Sequence, residues 1–460
     1  MISAIQNFLE RFPDKFGSFL PEVIIALGLS LLLFLSLFRL KRTILIGLYL
    51  ATLLGAMGAS WGLPEAAVFI PFRNLVCACA LASVVFFYNS PLFQSKYTAE
   101  SLFLLLASSL GLNMMMLSED LLSLFVALEL SAIASYILVI LSWQKNSLEG
   151  AMKYLLFGVF ASAVMLYGIS WIYGLSGNTY LATTTWKVPV SLIHYFAIFM
   201  TLAGLLMKIS AVPYHIWTPD AYQIAPTPVV AFLATASKIA GIVAILKVVN
   251  AYAPILPNIT QIVALISIIS IILGNLIAFW QKNLKRMLAY SSVANAGYLL
   301  IGAVNPSYQD ILFFFLLVYS IANVLIFAIA EYYEQNYQFT NLEHFAGIGK
   351  TSPLMSISLL IGFVSLAGLP PTAGFTAKLL IFSMLWGNFE TSKQVTFVIW
   401  LLIGLLNTII ALFYYLKMPY FAFFRNTEQT HSTKHQNYYF LASIILLAAL
   451  LIILFIKPFG

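Results

Sequence analysis

Four ionisable side chains sit deep inside long apolar stretches. They are Glu129 in LLSLFVALELSAIASYILVIL, Lys208 in LAGLLMKISAVPYHIWTPD, Lys238 in VVAFLATASKIAGIVAILKVV and Lys378 in LAGLPPTAGFTAKLLIF. A charged side chain at the centre of a bilayer costs roughly 2.5–3.5 kcal/mol on insertion scales. Four in one chain require one another, water, or both, and a row of titratable groups in oil-like surroundings is a route for protons. Lysine suits the task because its proton affinity is tunable. A free lysine has a pKa of ~10.4 and keeps its proton; desolvation can lower that by up to about 3–5 units, and a nearby carboxylate raises it again. The separation of Glu129 and Lys208 then works as a switch, with the proton moving toward Lys238 when the two draw apart.

Weaker candidates surround these four. His215 follows Lys208 by seven residues, two helical turns, on a similar face, and reads equally as an intermediate carrier or as a structural histidine. Lys153 follows Glu149 by one turn; it is either a helix-end anchor in an i,i+4 pair or part of the charge chain. Other features carry no chemistry. Cys77 and Cys79 lack further metal ligands and read as lipid-facing, Met114–Met116 reads as helix packing, and His431 and His435 read as solvated loop residues. Gly349-Lys350-Thr351 imitates the end of a phosphate loop, but His344 stands where that motif needs glycine. Arg73, close behind Pro71 at a helix end, is expected to snorkel toward the interface.

The elements that position these groups follow from hydropathy. The chain has 460 residues, 62% hydrophobic and 8% charged, where soluble domains carry about 25% charged residues. About 20 apolar residues cross the hydrocarbon core as a helix, and fourteen such windows run from 18–38 to 438–457. The weakest are 44–61 and 286–304. The run 18–38 is too long for a signal-peptide core and reads as a retained first span. Twelve Lys and Arg fall in loops after odd-numbered spans and six on the other side, which places the odd loops in the cytoplasm and both termini outside. That asymmetry accounts for the net charge of +7 without nucleic-acid binding.

Two windows are interrupted. Pro213 breaks the seventh span and frees the carbonyl of Ile209, beside Lys208. Gly368, Pro370, Pro371 and Gly374 break the twelfth, whose window of 33 residues is too long for one straight crossing. Broken helices in corresponding halves of a membrane protein point to a transport site. The longest polar stretch, 425–437, is too short for a soluble domain, so redox or nucleotide chemistry is expected in other chains.

The stretches LFVALELSAIASY, EGAMKYLLFG, MKISAVPYHIWTPDAYQIAPTPVVAFLATASKIA, KRMLAYSSVANAGYLLIG and LAGLPPTAGFTAKL resemble the antiporter-like subunits of the proton-pumping NADH:quinone oxidoreductase, respiratory complex I. Lysine at 378 and the lack of a long lateral helix favour the subunit N family. The resemblance implies an all-α integral membrane protein of about fourteen transmembrane helices. Two inverted five-helix repeats, at about 99–250 and 258–418, would follow a three-helix segment at 1–98 and precede a last helix at 419–460. It also implies proton-path roles for Glu129, Lys208, Lys238 and Lys378, with His215 and Lys153 along the same hydrophilic axis. No cofactor is expected in this chain; NADH, FMN, iron–sulfur clusters and quinone would belong to partner subunits. The other membrane-arm and hydrophilic subunits are the expected partners, in a bacterial inner membrane. A subunit of a multisubunit Na+/H+ antiporter is the alternative on the same residues.

Overall fold

The computed structural model describes residues 17–38, 40–63, 69–141, 147–182, 185–186, 189–256, 258–304, 308–425 and 438–458. The N-terminal charges Glu10, Arg11, Asp14 and Lys15, and the loop histidines His431 and His435, lie outside them. The fold is all-helical. In chain order the main helices are α1 (Leu20–Ser36), α2 (Arg42–Ser60), α3 (Ile70–Val85), α4 (Thr98–Leu117), α5 (Leu121–Ile140), α6 (Ser147–Ser176), α7 (Leu192–Lys208), α8 (Trp217–Ile224) and α9 (Thr227–Tyr252). They continue with α10 (Ile259–Phe279), α11 (Leu284–Ala303), α12 (Gln309–Tyr337), α13 (Pro353–Ala367), α14 (Ala373–Ser392), α15 (Val395–Phe424) and α16 (Tyr438–Ile456).

Nine of the described helices are long and apolar enough to cross a membrane alone. The shorter apolar helices α1 and α3 add two crossings, and α11 is the weak window at 286–304 made real. The pairs α7/α8 and α13/α14 are the two interrupted spans. Fourteen crossings result, as the hydropathy windows require.

Two junctions display the internal repeat. Asp120 caps the N-terminus of α5, accepting from the amides of Leu122 (2.9 Å) and Ser123 (3.0 Å), and its backbone bridges to Tyr180 just beyond α6. Asn283 caps α11 in the same way, accepting from the Arg286 amide at 3.1 Å, and bridges to Asn341 just beyond α12. Even the flanking hydrogen bonds match: Leu121 to Thr179 and Leu181 to Glu119 in one repeat, Leu284 to Thr340 and Leu342 to Lys282 in the other. Nine residues before each cap stands a glycine, Gly111 or Gly274, where a Cβ would strike the backbone of the next helix at 2.6 and 2.5 Å. Five crossings, an odd number, separate Asp120 from Asn283, so the two junctions lie at opposite ends of the bundle and one repeat is upside down relative to the other.

Helix α9 is the axle of this arrangement. It is apolar on every side and buried along its whole spanning window, and it packs on α3, α4, α7, α11 and α12. In the N-terminal segment two expectations are corrected. Arg73 does not snorkel: it is buried, and its guanidinium forks onto Glu22 of α1 at 3.0 and 2.5 Å. A bidentate carboxylate between two helices offsets desolvation that no interface would. Cys77 and Cys79 face the interior rather than lipid; both are buried free thiols, and Asn113 of α4 approaches Cys77.

Candidate functional site

The site begins at the break between α7 and α8. Helix α7 ends at Lys208, and the chain turns through Ser210 in the left-handed region (φ 63°), with the amides of Ser210 and Ala211 returning to Met207 and Leu206. That closure uses the last carbonyls of α7 except the one next to the turn. The Ile209 carbonyl, freed by Pro213 as the sequence predicts, accepts from Lys238 Nζ at 2.8 Å. Lys238 lies at the middle of α9 with no exposure and donates a second bond, at 2.5 Å, to the carbonyl of Ser292 in α11. One ammonium therefore joins the two repeats.

Lys208 is buried one residue from that carbonyl, and its Nζ has no hydrogen-bond partner among the described residues. Glu129 of α5 lies within electrostatic reach of it, but the two form no direct ion pair among the described residues. The carboxylate instead accepts from the hydroxyl of Ser162 on α6. Among the described residues, Glu129 and Lys208 therefore interact electrostatically without sharing a hydrogen bond.

The second break repeats the first with a different lysine. Helix α13 ends in Gly368 (φ 82°), whose amide and that of Leu369 return to Ser365 and Val364. Lys378, ten residues on in α14, folds back and donates to the carbonyls of Leu366 (3.1 Å) and Ala367 (2.9 Å). Its ammonium also lies 5.1 Å from the centre of the Tyr298 ring. Both X–Pro bonds at the breaks, Val212-Pro213 and Pro370-Pro371, are cis.

Neutral polar groups fill the space between Lys238 and Lys378. The Ser292 hydroxyl receives a bond from Tyr319 of α12 at 3.3 Å. Tyr319, Asn295, Ser365 and Lys378 then line one small cavity. Asn295 turns the other way to Tyr415 of α15 at 3.1 Å, and Tyr415 meets Ser291. Sequence reasoning missed these residues, because a serine, asparagine or tyrosine barely alters a hydropathy window.

Lys153 and His215 lie away from this line. Lys153 pairs with Glu149 at 2.9 Å as expected and also with Asp220 of α8 at 2.9 Å, at the end of the bundle that carries the basic loops. Asp220 pairs in turn with Arg286 of α11 at 2.6 Å. His215 is half-buried in the break, its Nδ1 without a partner among the described residues. No group of three or more His, Cys, Asp or Glu side chains able to hold a metal occurs among the described residues.

A family model described as NADH:quinone oxidoreductase/Mrp antiporter, transmembrane, matches residues 118–405. NADH-quinone oxidoreductase subunit N 2 of Chloroherpeton thalassium is 32% identical over 465 residues, covering 94% of this chain and 90% of that protein. NADH-quinone oxidoreductase subunit N of Bdellovibrio bacteriovorus is 34% identical over 358 residues, covering 75% and 72%. Among solved structures, a chain of respiratory complex I from Thermus thermophilus with bound aureothin superposes with a TM-score of 0.81 at 31% identity, covering 95% of this chain and 97% of that one. A chain of the Mrp complex from Dietzia shares the fold, with a TM-score of 0.78 at 19% identity, covering 95% and 94%.

Proposed function

The chain belongs to the subunit N family of NADH:quinone oxidoreductase/Mrp antiporter membrane proteins, and from that premise we propose that it moves protons along Glu129, Lys208, Lys238 and Lys378 while quinone is reduced in another subunit. Lys208 releases its proton when Glu129 withdraws toward Ser162. Lys238, fixed between the Ile209 and Ser292 carbonyls, takes it up once it has passed its own proton on toward Lys378. Ser292, Tyr319 and the cavity beside Asn295 lead on to Lys378. Lys153 and His215 serve the approach to Lys208. FMN, iron–sulfur clusters and the sites for NADH and quinone belong to partner subunits of the complex. The basic loops face the cytoplasm of a bacterial cell, and both termini face outward.

The observation that carries this reading is the buried ammonium of Lys208 beside a broken helix, with no hydrogen-bond partner among the described residues. An ionisable group in that state is poorly suited to holding helices together and well suited to changing its proton occupancy. The test is the intact complex carrying Lys208→Met, reconstituted in liposomes with NADH and a short-chain quinone, with the internal pH followed by a fluorescent dye. The expected result is an assembled complex whose proton uptake per quinone reduced falls sharply. Pumping at the wild-type ratio would defeat the proposal. Sodium-driven proton movement without quinone reduction would replace it with the antiporter reading.

A further inference from the structure

Two basic residues open helix α11, where the helix dipole disfavours them: Lys285 and Arg286 are its second and third residues. Lys285 is buried and Arg286 partly exposed, and both are paired. Arg286 Nη1 reaches Asp220 at 2.6 Å and the Gln223 side-chain oxygen at 2.9 Å, both on α8. Lys285 reaches the Ala225 carbonyl, which ends α8, at 3.5 Å, and Glu334 of α12 at 2.7 Å. Glu334 also accepts from Thr227, the first residue of α9, at 2.9 Å. The start of α11 in the second repeat thus grips the short second half of the broken helix in the first.

That grip closes a ring. Six residues beyond Arg286, about 9 Å along the same helix, the Ser292 carbonyl holds Lys238. The other bond of Lys238 goes to Ile209, at the head of the segment that α8 ends. Helix α8 has only eight residues, is largely buried, and packs between α6 and α11. On one side Trp217 stacks on Tyr154 of α6 at 4.1 Å; on the other stands Arg286. Arg286 thus ties α8, which continues the segment bearing the Ile209 carbonyl, to the helix bearing the Ser292 carbonyl, and those two carbonyls are the acceptors of the Lys238 ammonium.

We infer that Arg286 is a positioning residue for proton transfer at Lys238, acting through Asp220 and α8 as a tether between the two repeats. The inference rests on the relay proposed above. Without the tether, α8 shifts against α11, one of the two Lys238 bonds lengthens, and the protonated lysine loses its fixed place between Lys208 and Tyr319. Electron transfer elsewhere in the complex does not use the tether.

The test measures protons moved per quinone reduced, with the quinone reduction rate, in the liposome-reconstituted complex carrying Arg286→Ala, Arg286→Lys, or the exchange Asp220→Arg with Arg286→Asp. Arg286→Ala is expected to lower the proton ratio about threefold or more. Arg286→Lys keeps a cation at Asp220 and is expected to restore most of the ratio, while the quinone reduction rate stays unchanged in both variants, a split that a general loss of structure would not give. Should the alanine variant not assemble, the lysine variant and the exchange carry the test: a ratio near wild type in either assembled variant supports the tether, and a ratio lowered about threefold or more in both overturns it. An alanine variant that assembles and pumps at the wild-type ratio overturns it, as does a lysine variant as impaired as the alanine one. If Arg286→Ala pumps normally while Lys208→Met does not, the tether alone has failed; if Lys208→Met also pumps normally, the relay beneath it has failed.

Discussion

The two broken helices have the same backbone and opposite chemistry. Ser210 and Gly368 occupy the same left-handed turn, and the amides that follow return to equivalent carbonyls. Asp220 and Lys378 each lie seven residues beyond the matching prolines, Pro213 and Pro371. In the first repeat that position is an acid held by Lys153 and Arg286, and the free carbonyl at the break is met from outside by Lys238 of α9. In the second repeat it is a lysine on α14 that bends back onto α13, the other half of the same broken span. Glu129 and Ser292 show the same contrast, each nine residues after its helix cap. The first repeat sets a carboxylate against a lysine; the second puts a neutral serine at the corresponding place. A break in a helix therefore supplies carbonyls that attract an ammonium, and the sequence around it decides which helix provides the ammonium and whether an acid modulates it.

This contrast makes the central lysine worth more than the peripheral one. Lys238→Met removes bonds to both repeats and is expected to lower pumping by roughly 100-fold, the scale of a lost acid–base group. Lys378→Met removes contacts within the second repeat only and should cost less, by the same measurement of proton movement per quinone reduced. Equal losses in the two variants would erase the distinction between bridging and local lysines.

The turns offer a smaller and sharper test. A Cβ on Gly368 would lie 2.6 Å from Cδ of Lys378 and would also force a side chain into a positive φ. Gly368→Ala should therefore destabilise the subunit by about 1–3 kcal/mol and depress pumping by displacing Lys378. Ser210 already carries a side chain in that conformation, and Ser210→Gly should change stability by no more than about 1 kcal/mol. Thermal dissociation of the purified complex, followed by native electrophoresis, reads both. Smallest of all, Tyr319→Phe removes the hydroxyl that reaches Ser292 at 3.3 Å and should slow pumping a few-fold without altering assembly.

Much of the fold was legible because a membrane writes its constraints into the chain locally. Pro213 identified the Ile209 carbonyl as a free acceptor, and each of the four ionisable residues inside an apolar span stood out against its own window. The ion pairs between distant helices were not legible. Asp220 and Arg286 are 66 residues apart, and Glu22 and Arg73 are 51 apart, and each sits near a span end where a charge reads as ordinary. Only the folded bundle reveals that Arg73 forks onto a carboxylate. The cysteines were misjudged for the related reason that an apolar helix facing protein and one facing lipid have the same composition; α3 lies against α9, not at the periphery.

The full enclosure of α9 bears on biogenesis. Of the two oxygens that will hold Lys238, that of Ile209 has already been synthesised when α9 leaves the ribosome, whereas that of Ser292 arrives 54 residues later. During that interval the nascent helix bears a half-satisfied ammonium and has no α11 or α12 to shield it. The first repeat cannot mature by itself and then wait; its last helix is an unfinished surface until the second repeat is inserted around it, so truncation after α9 should yield a product that membrane quality control removes.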